Sequence, residues 1–423
     1  MAAVVLVASS TPLAAQAPDR AIEFDDLGLT ESARPGTRGA ALPALVAAAN
    51  DATALIYNPA GLVRVRRPHG MLALANGNSR LQLDYGTGPA GERVSSSHLD
   101  FAGIAFPLPV LRGSLVPALS IHRAFSSARD LAYTRDNTRD GRSENYSLQQ
   151  TGATYAYTLG VASDLSSTLS VGASVFVLDG RVDALRQYDW QPLVTNPSAH
   201  HFVLEDTEAG VSGYGANIGL QLFLNERIQI GVRFATPTVV KLHATGVREE
   251  TIQIVNDVGS YQRADTDNST EYILPYRVDT GVAIPLGLFY VTAEARFANW
   301  SNAAIDGQHV LTQQSDPVLR RVVTLAAGIE WSVATLPLRV RAGIEHSPSP
   351  LAYLQTDRID NDALEPLTSQ SGRLRLSAGA AVLVRERITL DAAYSHSSGT
   401  RSAPTVSDDY SAAQVSLQGS YWF

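Results

Sequence analysis

The chain closes with Ala413-Gln414-Val415-Ser416-Leu417-Gln418-Gly419-Ser420-Tyr421-Trp422-Phe423. Ala413, Val415, Leu417, Gly419, Tyr421 and Phe423 alternate with Gln414, Ser416, Gln418, Ser420 and Trp422. A period of two sends the first set to one face of a strand and the second to the other. The strand runs to an aromatic terminal residue, as expected of the last strand of a barrel, which must pair with the first.

Working outward, the same alternation recurs at 388–394, 374–382, 338–344, 323–331, 291–297, 278–284, 228–234, 218–222, 169–175 and 155–159. It is weaker near 70–84, 96–107 and 113–125. The total is about fourteen strands of about ten residues, an even number as in bacterial membrane barrels. A β-sandwich also alternates, so alternation alone does not decide. The connections do. Short ones, such as Asn225-Glu226, Pro285-Leu286-Gly287 and Arg385-Glu386-Arg387, alternate with long polar stretches. The long ones are expected at about 126–146, 180–212, 238–270, 300–320, 347–371 and 396–411. Short turns on one side and long loops on the other are the outer-membrane pattern. The expected fold is therefore all-β, an antiparallel transmembrane barrel.

Composition agrees. The charged fraction is 17%, the net charge is −8 and there is no cysteine. Soluble proteins average about 25% charged residues. A nucleic-acid binder would carry a basic stripe, and none is visible. Absence of cysteine removes disulfides, thiolate metal sites and a cysteine nucleophile together. Apolar residues make up 45% of the chain yet are dispersed among Ser, Thr, Gln and Gly. No apolar run beyond the N-terminus reaches the ~18 residues of a membrane-spanning helix.

The first residues, MAAVVLVASSTPLAAQA, read as a signal peptide over 1–17 with an A-x-A end, although no basic residue follows Met1. Residues 18–66 are rich in Gly, Ala and Pro and do not fit the strand pattern. Within them Asn58-Pro59-Ala60 has helix-start chemistry, with Asn as N-cap and Pro at the first helical position. A compact, partly helical piece of small residues suits the narrow lumen of the barrel formed by 67–423. Asn58, Pro59 and Ala60 also read simply as a tight helix start.

The stretch from Gly39 to Leu62, with Asn50-Asp51-Ala52-Thr53-Ala54 leading into Tyr57-Asn58-Pro59-Ala60-Gly61-Leu62, resembles the hatch of the FadL/TodX outer-membrane transporters. Asn299-Trp300-Ser301 and Arg341-Ala342-Gly343-Ile344 running into Ser347-Pro348-Ser349-Pro350 extend the resemblance over the mature chain. It implies a monomeric barrel plugged by a hatch. Long-chain fatty acids or other hydrophobic molecules would enter from outside and leave sideways where strand three is kinked, without covalent chemistry or cofactor. Secretion-system barrels carry a similar Asn-Pro-Ala-Gly-Leu segment, so a shuttle or anchor for secreted proteins is the alternative.

Three further residues stand out. Pro117, inside Leu115-Val116-Pro117-Ala118-Leu119, lacks the ladder donor and is a candidate for opening the wall, although a proline at a strand end reads as readily. Phe176 and Leu383 interrupt polar faces and are candidate apolar contacts in the lumen. Expected partners are a hydrophobic small molecule, membrane lipid and lipopolysaccharide, and the barrel-assembly machinery through the strand ending at Phe423. Enzymatic and metal chemistry have weak candidates. His396 lies between Ser395 and Ser397, which does not make a triad. His200-His201 lacks a third ligand at metal spacing, and Asp357, Asp360 and Asp362 lack the calcium-loop pattern.

Overall fold

The computed structural model describes residues 24, 27–30, 34–84, 89–111, 113–137, 141–192, 200–224, 227–253, 259–310, 318–355 and 364–423. The expected signal peptide and the acidic group Asp357, Asp360 and Asp362 lie outside these residues. Fourteen antiparallel strands form a closed barrel. In chain order they are β1 (His69–Asp84), β2 (Pro89–Ala105), β3 (Leu115–Ser126 continued by Arg129–Asn137), β4 (Arg142–Asp164), β5 (Leu169–Pro192) and β6 (His200–Leu224). Next come β7 (Ile228–Ala235 and Thr238–Gln253), β8 (Ser260–Leu274 and Arg277–Leu286), β9 (Phe289–Asn299) and β10 (Arg321–Ser332). The last are β11 (Leu338–Ser347), β12 (Arg373–Val384), β13 (Ile388–Ser402) and β14 (Ser407–Trp422).

Closure comes from the stretch that opened the sequence. β14 pairs with β1 along its whole length, from His69↔Trp422 to Asp84↔Ser407. Phe423 N–H donates to Pro68 O at 3.0 Å, and the Trp422 ring stacks on His69 at 3.9 Å. Closing the sheet on itself removes the free edges that first and last strands would otherwise present to hydrocarbon, the condition for crossing a bilayer with strands.

The alternation has opposite meanings on the two faces. On β13, Leu390 is 55% and Tyr394 50% exposed, whereas Asp391 is 6% and Ser395 4% exposed. Large apolar side chains therefore point outward and polar ones inward, the inverse of a soluble protein and the order an apolar surround requires. The chain lies in the outer membrane.

The short connections match expectation where described. Arg385 and Glu386 turn the β12–β13 corner with φ of 50° and 58°. The Asn225-Glu226 turn lies outside the described residues. The long loops need correction. Most of 126–146, 180–212 and 238–270 is strand: β4 and β5 stay paired from Arg142↔Pro192 to Asp164↔Ser170. Above the membrane both faces are wet, so the side-chain pattern weakens while the backbone ladder continues. The stretch 396–411 is likewise mostly β13 and β14. The described parts of 300–320 and 347–371 are long connections with little regular structure.

Residues 34–66 occupy the lumen. They form a short helix at Thr37–Ala41, another at Ala54–Tyr57 and a 3-10 helix at Pro59–Arg64. Leu42, Leu45, Leu55 and Leu62 are fully buried and pack with Ala73, Phe101, Val116 and Ala283 of the wall.

Candidate functional site

Asn58 caps the 3-10 helix as its chemistry predicts. Its Oδ1 accepts from Ala60 N–H at 3.1 Å. Its Nδ2 donates to Val46 O at 2.7 Å and to Leu220 O on β6 at 3.0 Å. One side chain thus starts the helix, ties two parts of the plug together and fastens both to the wall. Pro59 and Ala60 sit close against wall glycines. A Cβ on Gly172 would lie 2.4 Å from the Pro59 carbonyl carbon, and one on Gly219 would lie 2.0 Å from Asn58 Oδ1. These glycines supply room for the backbone to approach rather than conformational freedom.

Polar contacts complete the seat. Val46 N–H donates to Glu294 at 2.8 Å, Gln221 Nε2 to Ala47 O at 2.7 Å and Ser377 Oγ to Ala41 O at 3.0 Å. Arg34 pairs with Glu345, which also takes Arg296 at 2.9 Å. Arg38 approaches Glu330 at 3.8 Å, and Glu330 together with Asp391 holds Arg341 at 2.7 and 2.6 Å. Burial pushes the Tyr57 hydroxyl above its usual range, so it stays neutral and donates to Pro35 O at 2.9 Å.

The wall is interrupted once along the edge that joins β2 to β3. Phe101–Ala105 of β2 pair with Ala118–His122 of β3, and Gly91–Glu92 pair with Leu131–Ala132. Between them, among the described residues, 93–100 have no partner strand on that edge. β3 changes register against β4 between Arg123 and Phe125, leaving Ala124 as an extra residue. Beyond it the chain turns into the lumen. Ser127 is buried, its Oγ donates to Leu27 O at 3.2 Å and its carbonyl accepts from Gln150 Nε2 at 2.7 Å. Gly28, with φ of 69°, fits against Ser126 where a Cβ would meet the carbonyl oxygen at 2.2 Å.

Pro117, the expected opening, is in the intact part of the wall. It pairs with Val161 on β4, and its carbonyl accepts from Phe106 N–H at 3.0 Å. Its missing donor falls at the end of the β2 ladder, where the loss is tolerated; the break comes later, at Ala124.

Two cavities meet at the inward turn. One, of about 180 Å³, is mainly apolar and bounded by Leu29, Phe125, Phe176, Leu178, Leu274 and Trp300. Phe24, fully buried, lies beside it with its ring edge-on to Tyr272 at 5.5 Å and Trp300 at 6.1 Å. The other, of about 230 Å³, is polar and borders the gap through Asp100 and Arg123. Ala124 and Phe125 line both. Phe176 therefore faces the lumen at a cavity. Leu383 does not: it lies one residue before the end of β12 and is 41% exposed, beside the short turn and away from both cavities. Its face parity matches expectation, but its height on the barrel does not.

Ala124, Phe125 and the N-terminal residues Phe24 and Leu29 carry no signal in the sequence. Trp300 and Ser347-Pro348-Ser349-Pro350 stand out there only through the family resemblance. The weak chemical candidates stay apart. Ser395 and His396 project to opposite faces of β13, and Ser395 Oγ accepts from Arg375 at 3.0 Å. His200 contacts Asp189 at 2.5 Å and His201 contacts Glu250 at 2.8 Å. Among the described residues no three His, Asp or Glu side chains form a metal-holding group.

The known proteins point the same way. The family model described as outer membrane protein transport protein (OMPP1/FadL/TodX) matches residues 26–422. A Pseudomonas aeruginosa FadL homologue superposes with a TM-score of 0.63 at 16% identity, covering 92% of this chain and 98% of its own. The Ralstonia pickettii toluene transporter TbuX gives 0.61 at 13% identity, covering 93% and 99%. The P. putida toluene transporter TodX gives 0.60 at 14%, covering 95% and 97%. At these identities the superpositions speak for the fold. No curated protein matches the chain by sequence. The family match over nearly the whole length makes the assignment: this chain belongs to the OMPP1/FadL/TodX family of outer-membrane transport proteins.

Proposed function

We propose that the protein is a passive outer-membrane channel for long-chain fatty acids or other hydrophobic small molecules, aromatic hydrocarbons included. Cargo occupies the apolar cavity, passes Ala124 and Phe125 into the polar basin and leaves sideways between β2 and β3. The plug of residues 34–66 gates the lumen and denies an axial route. One observation carries this reading: an apolar cavity and a basin meet at the residue where β3 leaves the wall, beside an unpaired stretch of β2. Apolar surface offered in steps favours a lipid-like solute by ~25 cal/mol per Å² covered. Lateral release delivers it into hydrocarbon rather than water. A shuttle for secreted proteins has no use for such a cavity.

Leu29 and Thr30 line the apolar cavity, so residues 27–30 are placed to yield when cargo enters. Outside the wall, the partners are membrane lipid and lipopolysaccharide. The exposed ring of Phe423 at the end of β14 offers the assembly machinery its handle.

Uptake of labelled oleate and of toluene by cells lacking the protein, complemented with the natural chain or with Ala124→Trp, tests the reading. Complementation restores uptake of at least one probe, and Ala124→Trp, which fills the junction, abolishes it. Equal uptake with and without the protein for both probes contradicts the proposal, as does full uptake through Ala124→Trp.

A further inference from the structure

The polar basin holds more positive charge than a passage for hydrocarbons needs. Its lining includes Arg34, Arg123, Arg129, Arg373, Arg375 and Arg401 against three acids. Those acids are already engaged. Glu345 takes Arg34 and Arg296, Asp408 takes Arg401 at 2.6 Å, and Asp100 accepts Gly36 N–H at 2.8 Å. Arg375 stands apart. Its Nη2 donates to Ser395 Oγ at 3.0 Å, its Nε is buried without a partner, and among the described residues no carboxylate lies within 4.0 Å. A buried guanidinium without an anion is costly. Its planar fork matches a carboxylate edge to edge.

We propose that Arg375 is the head-group station for an anionic amphiphile, a monocarboxylate in the simplest case, which leaves the barrel tail first. This deepens the channel reading and rests on it. The head binds Arg375 in the basin while the alkyl tail lies along Phe125 and Leu81 toward the gap. A charged head does not enter hydrocarbon, whereas an alkyl tail does. The tail therefore passes between β2 and β3 while the head is still held, and the head follows last. A neutral hydrocarbon has nothing to offer Arg375, so this chain discriminates by head group where the toluene transporters of similar fold are named for a molecule without one.

The test compares laurate, lauryl alcohol and dodecanedioate on the purified full chain and in uptake by complemented cells. The wild type binds laurate more tightly than the alcohol. Arg375→Gln weakens laurate binding at least about tenfold, leaves the alcohol unchanged, and Arg375→Lys restores part of the loss. Dodecanedioate binds but crosses much more slowly than laurate, because either end presents a charge to the bilayer. Equal affinity of the wild type for laurate and its alcohol overturns the proposal, and needs no variant to fold. So does a Gln variant that keeps its laurate affinity, or a diacid that crosses as fast as laurate. If the wild type binds none of the three, the channel reading itself fails.

Discussion

Replacing Asn58 by Ala is expected to loosen the plug without touching the wall. Asn58 is fully buried and makes three hydrogen bonds, one within its own helix start, one across the plug and one to β6. Losing an N-cap costs about 1 kcal/mol. Leaving Val46 O and Leu220 O without their amide donor adds about 2 kcal/mol at the usual penalty for buried unsatisfied groups. A total of about 3 kcal/mol shifts the ratio of docked to undocked plug about a hundredfold. The assay is ionic conductance of single proteins in planar bilayers, where an undocked plug admits water and ions. Asn58→Ala should raise the time spent in open states by about that factor. Gly219→Val reaches the same end sterically, since its first side-chain carbon would lie 2.0 Å from Asn58 Oδ1. If both variants form intact barrels with the opening frequency of the natural chain, the seating argument is wrong.

Other outcomes follow from the same contacts. Arg341→Met leaves Glu330 and Asp391 without the cation that both of them hold, and should cost about 3–5 kcal/mol in a urea unfolding series in lipid. Gly419 faces outward, and a Cβ placed on it would meet nothing within 4 Å, so Gly419→Leu should leave that unfolding midpoint unchanged or raise it. Gly231→Leu, whose first side-chain carbon would meet Val46 O at 2.1 Å, should instead expel the plug and raise conductance. Phe176→Ala should weaken binding of the transported molecule about tenfold, the equivalent of about 1–2 kcal/mol of lost apolar contact, in a direct binding titration.

The features legible in the sequence were the local ones. Alternation along 413–423 places β14, because a strand in a membrane wall has one face in lipid and one in the lumen. Asn58-Pro59 marks a helix start, because a cap is a property of adjacent residues. The height of the barrel was not legible: Arg142–Gln150 and Ala184–Pro192 look like polar loop yet are paired strand, since solvent wets both of their faces. Pro117 shows the limit of a local rule. Proline signals a missing donor, but the wall breaks at Ala124, within Arg123-Ala124-Phe125-Ser126-Ser127, which contains neither Gly nor Pro. What turns the chain inward there is contact with Leu27, Gly28 and Gln150, distant in sequence and absent from any local pattern. Leu383 failed for a related reason, since alternation gives a face but not a depth.

The wall gap between β2 and β3 is tested most directly by closing it. The chain has no cysteine, so Ser96→Cys with Arg123→Cys introduces the only thiols, at positions whose side chains face each other across the gap at 3.5 Å. A short bis-thiosulfonate linker would bridge them and release on reduction. Linked protein should lose at least about nine-tenths of its oleate or toluene uptake, about a tenfold fall, and recover it with reductant. Undiminished uptake through the linked protein would contradict lateral release.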